Sequence, residues 1–366
     1  MSRLSPGLVA LLLLAASTLA CADSAIDRLI EQTGVEEGPV PVRAMSGWHA
    51  PDKILVRSAA DYIDRLEKAY PSIRFVDVET EDQAIANAAG ADAIIGFCSQ
   101  RLLDAAPDAL WIQLFSAGAE YCTPVSQVRS GKVVLTNMQK MSSPVLAEHA
   151  VAMMLSLARG LVTWGKEMHS GQWLDSGPEA PKLTEIDGQT VLVVGLGGIG
   201  TEVARRAAAL GMRVTATRRS SHEGPAFVDY VGLPDELDKL AAEADFVVNA
   251  LPLTPETEGV FDKAFFAAVK PGAYFISIGR GKSTVTKDLI AALESGRIAG
   301  AGLDVTDPEP LPPDNPLWQF DNVIITPHVG GRGGGRTRHL VLLEDNIRRF
   351  VAGDALLNVV DPQRGY

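Results

Sequence analysis

Five short segments hold the side chains and spacings that could do chemistry. The first is Gly195-Leu196-Gly197-Gly198-Ile199-Gly200, which follows the apolar run Thr190–Val194 and opens the helical pattern Thr201–Leu210. In that context Gly195 permits a tight turn and Gly197 lets the backbone approach a pyrophosphate. Gly200 lets the helix pack close to the strand. The unpaired N–H groups and positive dipole end of the helix would then receive phosphates, so the segment predicts a dinucleotide site. The other four segments supply groups to act beside a nicotinamide ring. Ser277-Ile278-Gly279-Arg280-Gly281 offers a guanidinium, Gly302-Leu303-Asp304-Val305 and Asp307-Pro308-Glu309-Pro310-Leu311 offer carboxylates, and Thr326-Pro327-His328-Val329-Gly330 offers an imidazole. A guanidinium fork matches a carboxylate, and an imidazole titrates near neutral pH, where it can give or take a proton. All four lie at or just beyond the carboxyl ends of predicted strands, where doubly wound sheets place ligands.

The cofactor's type is read from the strand after the glycine loop. An acid near its end would bond the ribose 2′-hydroxyl of NAD, but Arg213–Thr217 is followed by Arg218-Arg219-Ser220. An acid would repel a 2′-phosphate, whereas guanidinium groups hold one with paired hydrogen bonds. NADP(H) is therefore expected over NAD(H). Asn249 and Thr257 either line the cofactor cleft or shape a turn. Gly281-Lys282-Ser283 imitates the end of a P-loop, but the earlier glycine that motif needs would fall at Ile276. No metal is expected: no CxxC pair occurs, and the remaining histidines show no ligand spacing. His149, after Glu148 in a helix, reads as structural. For Cys98 and Cys122, a bridge in an oxidising compartment and a free buried pair both stay open.

Alternating elements must position these groups. Short apolar runs at 53–57, 73–78, 93–97, 111–115 and 133–136 are separated by helical patterns, and a long apolar helix is expected over 145–161. The alternation resumes with strands at 190–195, 214–217, 246–250, 273–278, 300–305 and 323–326. Such runs suggest parallel sheets covered on both faces. The expected fold class is α/β, with two doubly wound domains: a Rossmann cofactor domain, 145–327, inserted into a discontinuous flavodoxin-like domain, 46–144 plus 328–366. Residues 23–45 read as a linker or loosely docked arm.

The 366 residues suit about two domains, and 46% apolar residues supply two cores. A net charge of −12 argues against non-specific nucleic-acid binding. Arg3, the greasy run Leu8–Ala16 and small residues ending at Ala22 read as a signal peptide, 1–22. The apolar stretch Leu8–Ala22 is shorter than the roughly 20 residues of a spanning helix, so no stable membrane span is expected in the mature chain. Export is the expectation, with a cytoplasmic location if the true start lies downstream.

Taken in order, GLGGIG, NALPLTPET, SIGRG, GLDVTDPEPLP and TPHVGG resemble the D-isomer-specific 2-hydroxyacid dehydrogenases, the glyoxylate/hydroxypyruvate reductase-like members in particular. The resemblance runs through nearly the whole chain after about residue 46 and includes SAGAE (Ser116–Glu120), SSPVLAEHA (Ser142–Ala150) and the ending LNVVDPQRGY. It implies reduction of a 2-oxo acid to a D-2-hydroxy acid. His328 would be the acid/base, Glu309 would orient it and favour its charged form, and Arg280 would bind the carboxylate and polarise the carbonyl. Backbone around Ser116, Ala117 and Gly118 would hold the carboxylate's other side. Asp304 would bond the nicotinamide carboxamide, and Leu251, Pro252, Ile278, Gly279 and Gly330 would lie along the cofactor with Asn249 and Thr257. A homodimer built around the cofactor domain and helix 145–161 is implied too. The alternatives are a phosphoglycerate dehydrogenase-like enzyme, and a non-catalytic dinucleotide sensor resembling the C-terminal-binding corepressors.

Overall fold

Runs such as KILV and TVLVV bury every residue or nearly so, because helices cover both faces of the sheets they build. The computed structural model describes residues 25–57, 60–171, 173 and 180–363. The expected signal peptide lies outside them. The chain divides into two units, Met1–Met141 with Gly335–Tyr366 and Ser142–Gly334.

In the first unit, β1 (Lys53–Val56), β2 (Arg74–Asp77), β3 (Ala93–Ile95), β4 (Trp111–Gln113) and β5 (Val134–Thr136) form a parallel sheet of order β2-β1-β3-β4-β5. Side chains alternate across it. Ile54, Val56, Phe75 and Trp111 pack with Leu342, Ile347 and Phe350 of the last helix, Arg336–Ala352. Leu55, Ile94 and Ile112 pack on the other face with Leu102 and Leu103.

The segment read as a linker or arm is part of this unit's core. Residues 25–33 form a helix whose Ile26 and Leu29 are buried among the residues that pack with Phe350. The strip after it is stitched to the end of the chain: Gly38 N–H donates to Leu356 O, Val42 N–H to Asp354 O, and Asn358 N–H to Glu36 O. Its few apolar residues gave too short a pattern to separate a docked helix from a tail.

In the second unit, β6 (Thr190–Val194), β7 (Arg213–Thr217), β8 (Tyr230–Gly232), β9 (Phe246–Asn249), β10 (Ala273–Ser277), β11 (Ile298–Leu303) and β12 (Val323–Ile325) form a parallel sheet. Its order is β12-β11-β10-β9-β6-β7-β8. Successive strands step outward from β6 in one direction, then from β9 in the other. The reversal opens a crevice at the carboxyl ends of β6 and β9. β8 has only three residues and no apolar run, so the sequence did not show it. The expected helix over 145–161 is Ser143–Ala158, and Gly160, at φ 60°, ends it before a second helix, Leu161–Ser170. Ala147, Ala150, Met153, Met154 and Leu157 bury it against Val191, Val193 and Ile276. Among the described residues no single helix is long and apolar enough to cross a membrane. His328 stays in the second unit with its strand. The passage to the last helix comes at Gly334–Gly335 rather than at His328.

Leu29→Ala is expected to lower unfolding stability by about 2–5 kcal/mol, the cost of truncating a core leucine, read from urea unfolding. An unchanged midpoint would mean that the helix merely rests on the surface.

Candidate functional site

The glycine loop sits at the crevice. Gly195 turns the chain at φ 97° after β6, and the helix Gly198–Ala209 starts with Gly197 as its cap and no side chain on its first amides. A Cβ on Gly200 would overlap the Gly195 carbonyl oxygen, whereas one on Gly197 would meet no atom within 4 Å. The loop is thus closed toward the protein and open on the face that a pyrophosphate would approach. Ile199 packs into the core beneath. These features fit a dinucleotide.

At the end of β7, Thr217 replaces the expected acid, and its hydroxyl accepts from Gly195 N–H at 3.3 Å. Arg218 donates from Nε to Leu196 O at 3.2 Å, which places its guanidinium beside the glycine loop. Arg219 and Ser220 are exposed. A carboxylate does stand nearby, in the loop after β9. Glu256 is held below its ordinary range by a hydrogen bond with Thr254, by its own backbone, and more weakly by Arg219.

Asn249 is fully buried at the end of β9 and acts as a brace. Its amide nitrogen donates to Ser277 Oγ at 3.0 Å and Ser283 Oγ at 2.7 Å, and its oxygen accepts from Leu251 N–H at 3.1 Å. Ser283 in turn donates to Arg280 O at 2.6 Å. The brace therefore fixes the turn that presents Arg280. Thr257 likewise shapes its loop, donating to Pro252 O and accepting from Thr254 N–H. Ile278 is buried, and Gly279 follows it against the Leu251 backbone. Arg280 is half-buried. Gly281 abuts Thr306 so closely that a Cβ would overlap the Thr306 carbonyl. That contact joins the arginine turn to the segment leading to Glu309.

β10, β11 and β12 are neighbours in register, Ser277 beside Leu303 and Leu303 beside Ile325. Their ends therefore bring Arg280, Asp304 and His328 to one edge of the sheet. His328 has a φ of 53°, a region a non-glycine residue occupies only when held there. Asp304 does the holding. Its carbonyl accepts from His328 N–H at 2.9 Å, its Oδ1 from Val329 N–H at 2.9 Å and Thr326 Oγ at 2.6 Å, and its Oδ2 from Gly330 N–H at 2.9 Å. The carboxylate is 1% exposed. Glu309 Oε1 lies 2.6 Å from His328 Nδ1, with both side chains about half exposed. Trp318 is exposed and donates to Pro312 O.

The first unit carries the Ser116–Gly118 loop after β4. Met138 N–H donates to Ser116 O at 3.0 Å, Asn137 Nδ2 to Ala117 O at 2.6 Å, and Ser116 Oγ to Gly118 O at 2.7 Å. In a planar trans peptide the N–H points opposite to the C=O. With the first two carbonyls turned toward Met138 and Asn137, the Ala117 and Gly118 amides point the other way. Cys98 and Cys122 are joined as a disulfide, with Cα atoms 5.6 Å apart, within the usual span.

Residues 151–330 match the family model described as D-isomer specific 2-hydroxyacid dehydrogenase, NAD binding domain. A glyoxylate/hydroxypyruvate reductase B from Citrobacter koseri is 34% identical over 312 residues, covering 83% of this chain and 95% of its own. A D-isomer specific 2-hydroxyacid dehydrogenase from Xanthobacter autotrophicus Py2, solved with NADPH and MES, superposes with a TM-score of 0.73. It is 29% identical over 87% of this chain and 100% of its own. An NADPH-dependent glyoxylate/hydroxypyruvate reductase from Sinorhizobium meliloti, solved with NADP and sulfate, also gives 0.73, at 28% identity over 86% and 100%.

Asn249→Ala strands two serine hydroxyls and the Leu251 amide. At about 1 kcal/mol per buried bond it is expected to cost roughly 2–4 kcal/mol in urea unfolding. A residue kept only for ligand contact would show no such loss.

Proposed function

The chain belongs to the D-isomer-specific 2-hydroxyacid dehydrogenase family, and on that premise we propose that it reduces a glyoxylate- or hydroxypyruvate-like 2-oxo acid to its D-2-hydroxy acid, with NADPH preferred. The observation that carries this reading is the 2.6 Å contact of Glu309 with His328 Nδ1, on the sheet edge that also presents Arg280.

When bound, the nicotinamide would supply the hydride for the carbonyl carbon. The chain's own residues do the rest. Arg280 binds the substrate carboxylate and draws charge toward the carbonyl oxygen. Glu309 fixes Nδ1 of His328, so Nε2 gives its proton to that oxygen and takes it back in the reverse direction. The Ala117 and Gly118 amides, freed by the inward turn of their carbonyls, are the proposed second donors to the carboxylate, with Ser116 shaping the loop. The glycine loop, Gly195 to Gly200, takes the pyrophosphate. Asn249, Leu251, Pro252, Thr257, Ile278, Gly279, Asp304 and Gly330 are proposed along the cofactor. Preference for NADPH is supported by Arg218 beside the loop and by the lack of an acid on β7. Glu256 near Arg219 opposes it in part.

Export is proposed on the leader-like N-terminus, and the Cys98–Cys122 bridge supports it, since disulfides persist in oxidising compartments. A homodimer is proposed as well. Leu161, Met168 and Trp173 stand 54%, 71% and 95% exposed after the long helix, an apolar surface that a second copy would cover.

Assays pairing NADPH and NADH with glyoxylate and hydroxypyruvate test the activity. Arg218→Asp is expected to cut kcat/KM with NADPH roughly 10–100-fold, the scale of a charged hydrogen bond, and to spare NADH. His328→Gln is expected to lower kcat by about 10²–10⁴. Cofactor binding without turnover would instead indicate a dinucleotide sensor. For export, protein from the native host is expected to begin near Asp23 and to yield a Cys98–Cys122 linked peptide without reductant; an intact Met1 with two free thiols would reverse that reading.

A further inference from the structure

The acid that grips the His328 loop is itself tied to the long helix Ser143–Ala158. His149 Nε2 lies 2.9 Å from Thr326 Oγ and 3.6 Å from Asp304 Oδ1. Thr326 has one hydroxyl proton, and the 2.6 Å bond to Asp304 Oδ1 uses it. The threonine oxygen must therefore accept from His149, which fixes Nε2 as the protonated nitrogen. The chain of donors runs from the helix through Thr326 to a carboxylate that collects Val329 and Gly330 N–H. The loop also packs directly on the helix: a Cβ on Gly330 would come within 3.1 Å of His149 Cδ2 and 3.2 Å of Leu146 Cδ2. The helix is a firm anchor, because Ala147, Ala150 and Met153 are buried under the sheet.

We propose that His149, acting through Thr326 and Asp304, is a positioning residue that holds His328 in register for proton transfer. The proposal rests on the role given to His328 above. His149 touches neither substrate nor cofactor in this account. It ties to the helix the Asp304 Oδ1 that also receives the Val329 amide, while Oδ2 receives the Gly330 amide. Without the Nε2 proton, Thr326 and Asp304 keep their bond to each other but lose their tie to the helix, and the His328 loop loses that reference. A reacting group misplaced by about 1 Å costs roughly 10²-fold in rate, so the larger effect belongs in kcat, with a smaller one on cofactor affinity through Asp304 and Gly330.

Four variants of the full chain test this: His149→Phe, which keeps a ring but no donor; His149→Gln, which restores a donor near Nε2; Thr326→Val; and the double variant His149→Phe/Thr326→Val. The readouts are kcat, KM, NADPH Kd by fluorescence, and amide hydrogen exchange of a peptide spanning 323–332. His149→Phe and Thr326→Val are each expected to lower kcat roughly 10–100-fold, with a smaller rise in NADPH Kd and faster exchange in that peptide. The double variant is expected to be no slower than the slower single, because both cut one chain. His149→Gln is expected to recover kcat to within about threefold. The proposal is overturned by unchanged kcat and exchange in His149→Phe, by additive losses, or by a glutamine as slow as the phenylalanine. Should His149→Phe not fold, Thr326→Val against Thr326→Ser decides on the same readouts. If the unaltered protein turns over no 2-oxo acid, the functional reading fails, and the exchange rates alone then judge the tether.

Discussion

Three consecutive amides, those of His328, Val329 and Gly330, all donate to Asp304, one to its carbonyl and two to its carboxylate. A buried carboxylate surrounded by apolar packing would be unfavourable on its own. Here it is stabilised by several donors, and bonds of that kind are strong because one partner is charged. The arrangement solves a specific problem. Under the role proposed for His328, a histidine that meets substrate cannot be packed into a core, yet it must not wander. Asp304 immobilises the backbone on both sides of the imidazole and leaves the ring half exposed. It also stabilises the left-handed backbone at His328, which would otherwise relax toward ordinary φ values.

The same device recurs two strands away. Asn249 spends its whole amide on Ser277, Ser283 and Leu251, and Ser283 passes the constraint to the carbonyl of Arg280. In each case a buried polar side chain at a strand end serves the residue that faces outward. Parallel strands make this economical, since their carboxyl ends come to one edge in register and each can brace its neighbour's loop. The proposed substrate-facing groups are therefore built at the ends of sheet strands, where precise geometry is easiest to hold.

The alternation of strands and helices was legible because it rests on local patterns: buried runs for strands, 3.6-residue spacing for helices, and glycine where backbone must approach backbone. Two doubly wound sheets followed from it, and the family motifs followed with them. What escaped had no local signal. Helix 25–33 is defined by its docking against the far end of the chain. β8 is three residues that pair only because β7 offers an edge. The split of the long helix at Gly160 looked like continuity, since apolar residues lie on both sides of it. Among site residues, the motifs marked Arg280, Glu309 and His328 but said nothing of His149, whose partner Thr326 lies 177 positions away. A histidine on an apolar helix reads as structural until the fold shows which loop it touches. Asp304 reads as a cofactor contact from resemblance, and Asn249 as either a cofactor contact or a turn-shaper; the structure adds that both serve as braces.

If Glu309 and His328 work as the proposed acid–base pair, their exposure decides which of two roles Glu309 plays. Its carboxylate could act mainly by attraction, stabilising a charged imidazole, or mainly by direction, fixing which nitrogen faces the substrate. With both side chains about half exposed, water and salt screen the attraction heavily. Direction is not screened: a bond to Nδ1 sets the ring's orientation whether or not solvent is present. For the proposed pair, orientation is the larger contribution. That conclusion fits the rest of the architecture. The backbone of His328 is fixed by Asp304, Thr326 and the helix beneath, and the remaining freedom is the rotation of the ring about its side-chain bonds. Glu309 removes that last freedom, so the carboxylate on the surface completes what the buried one begins.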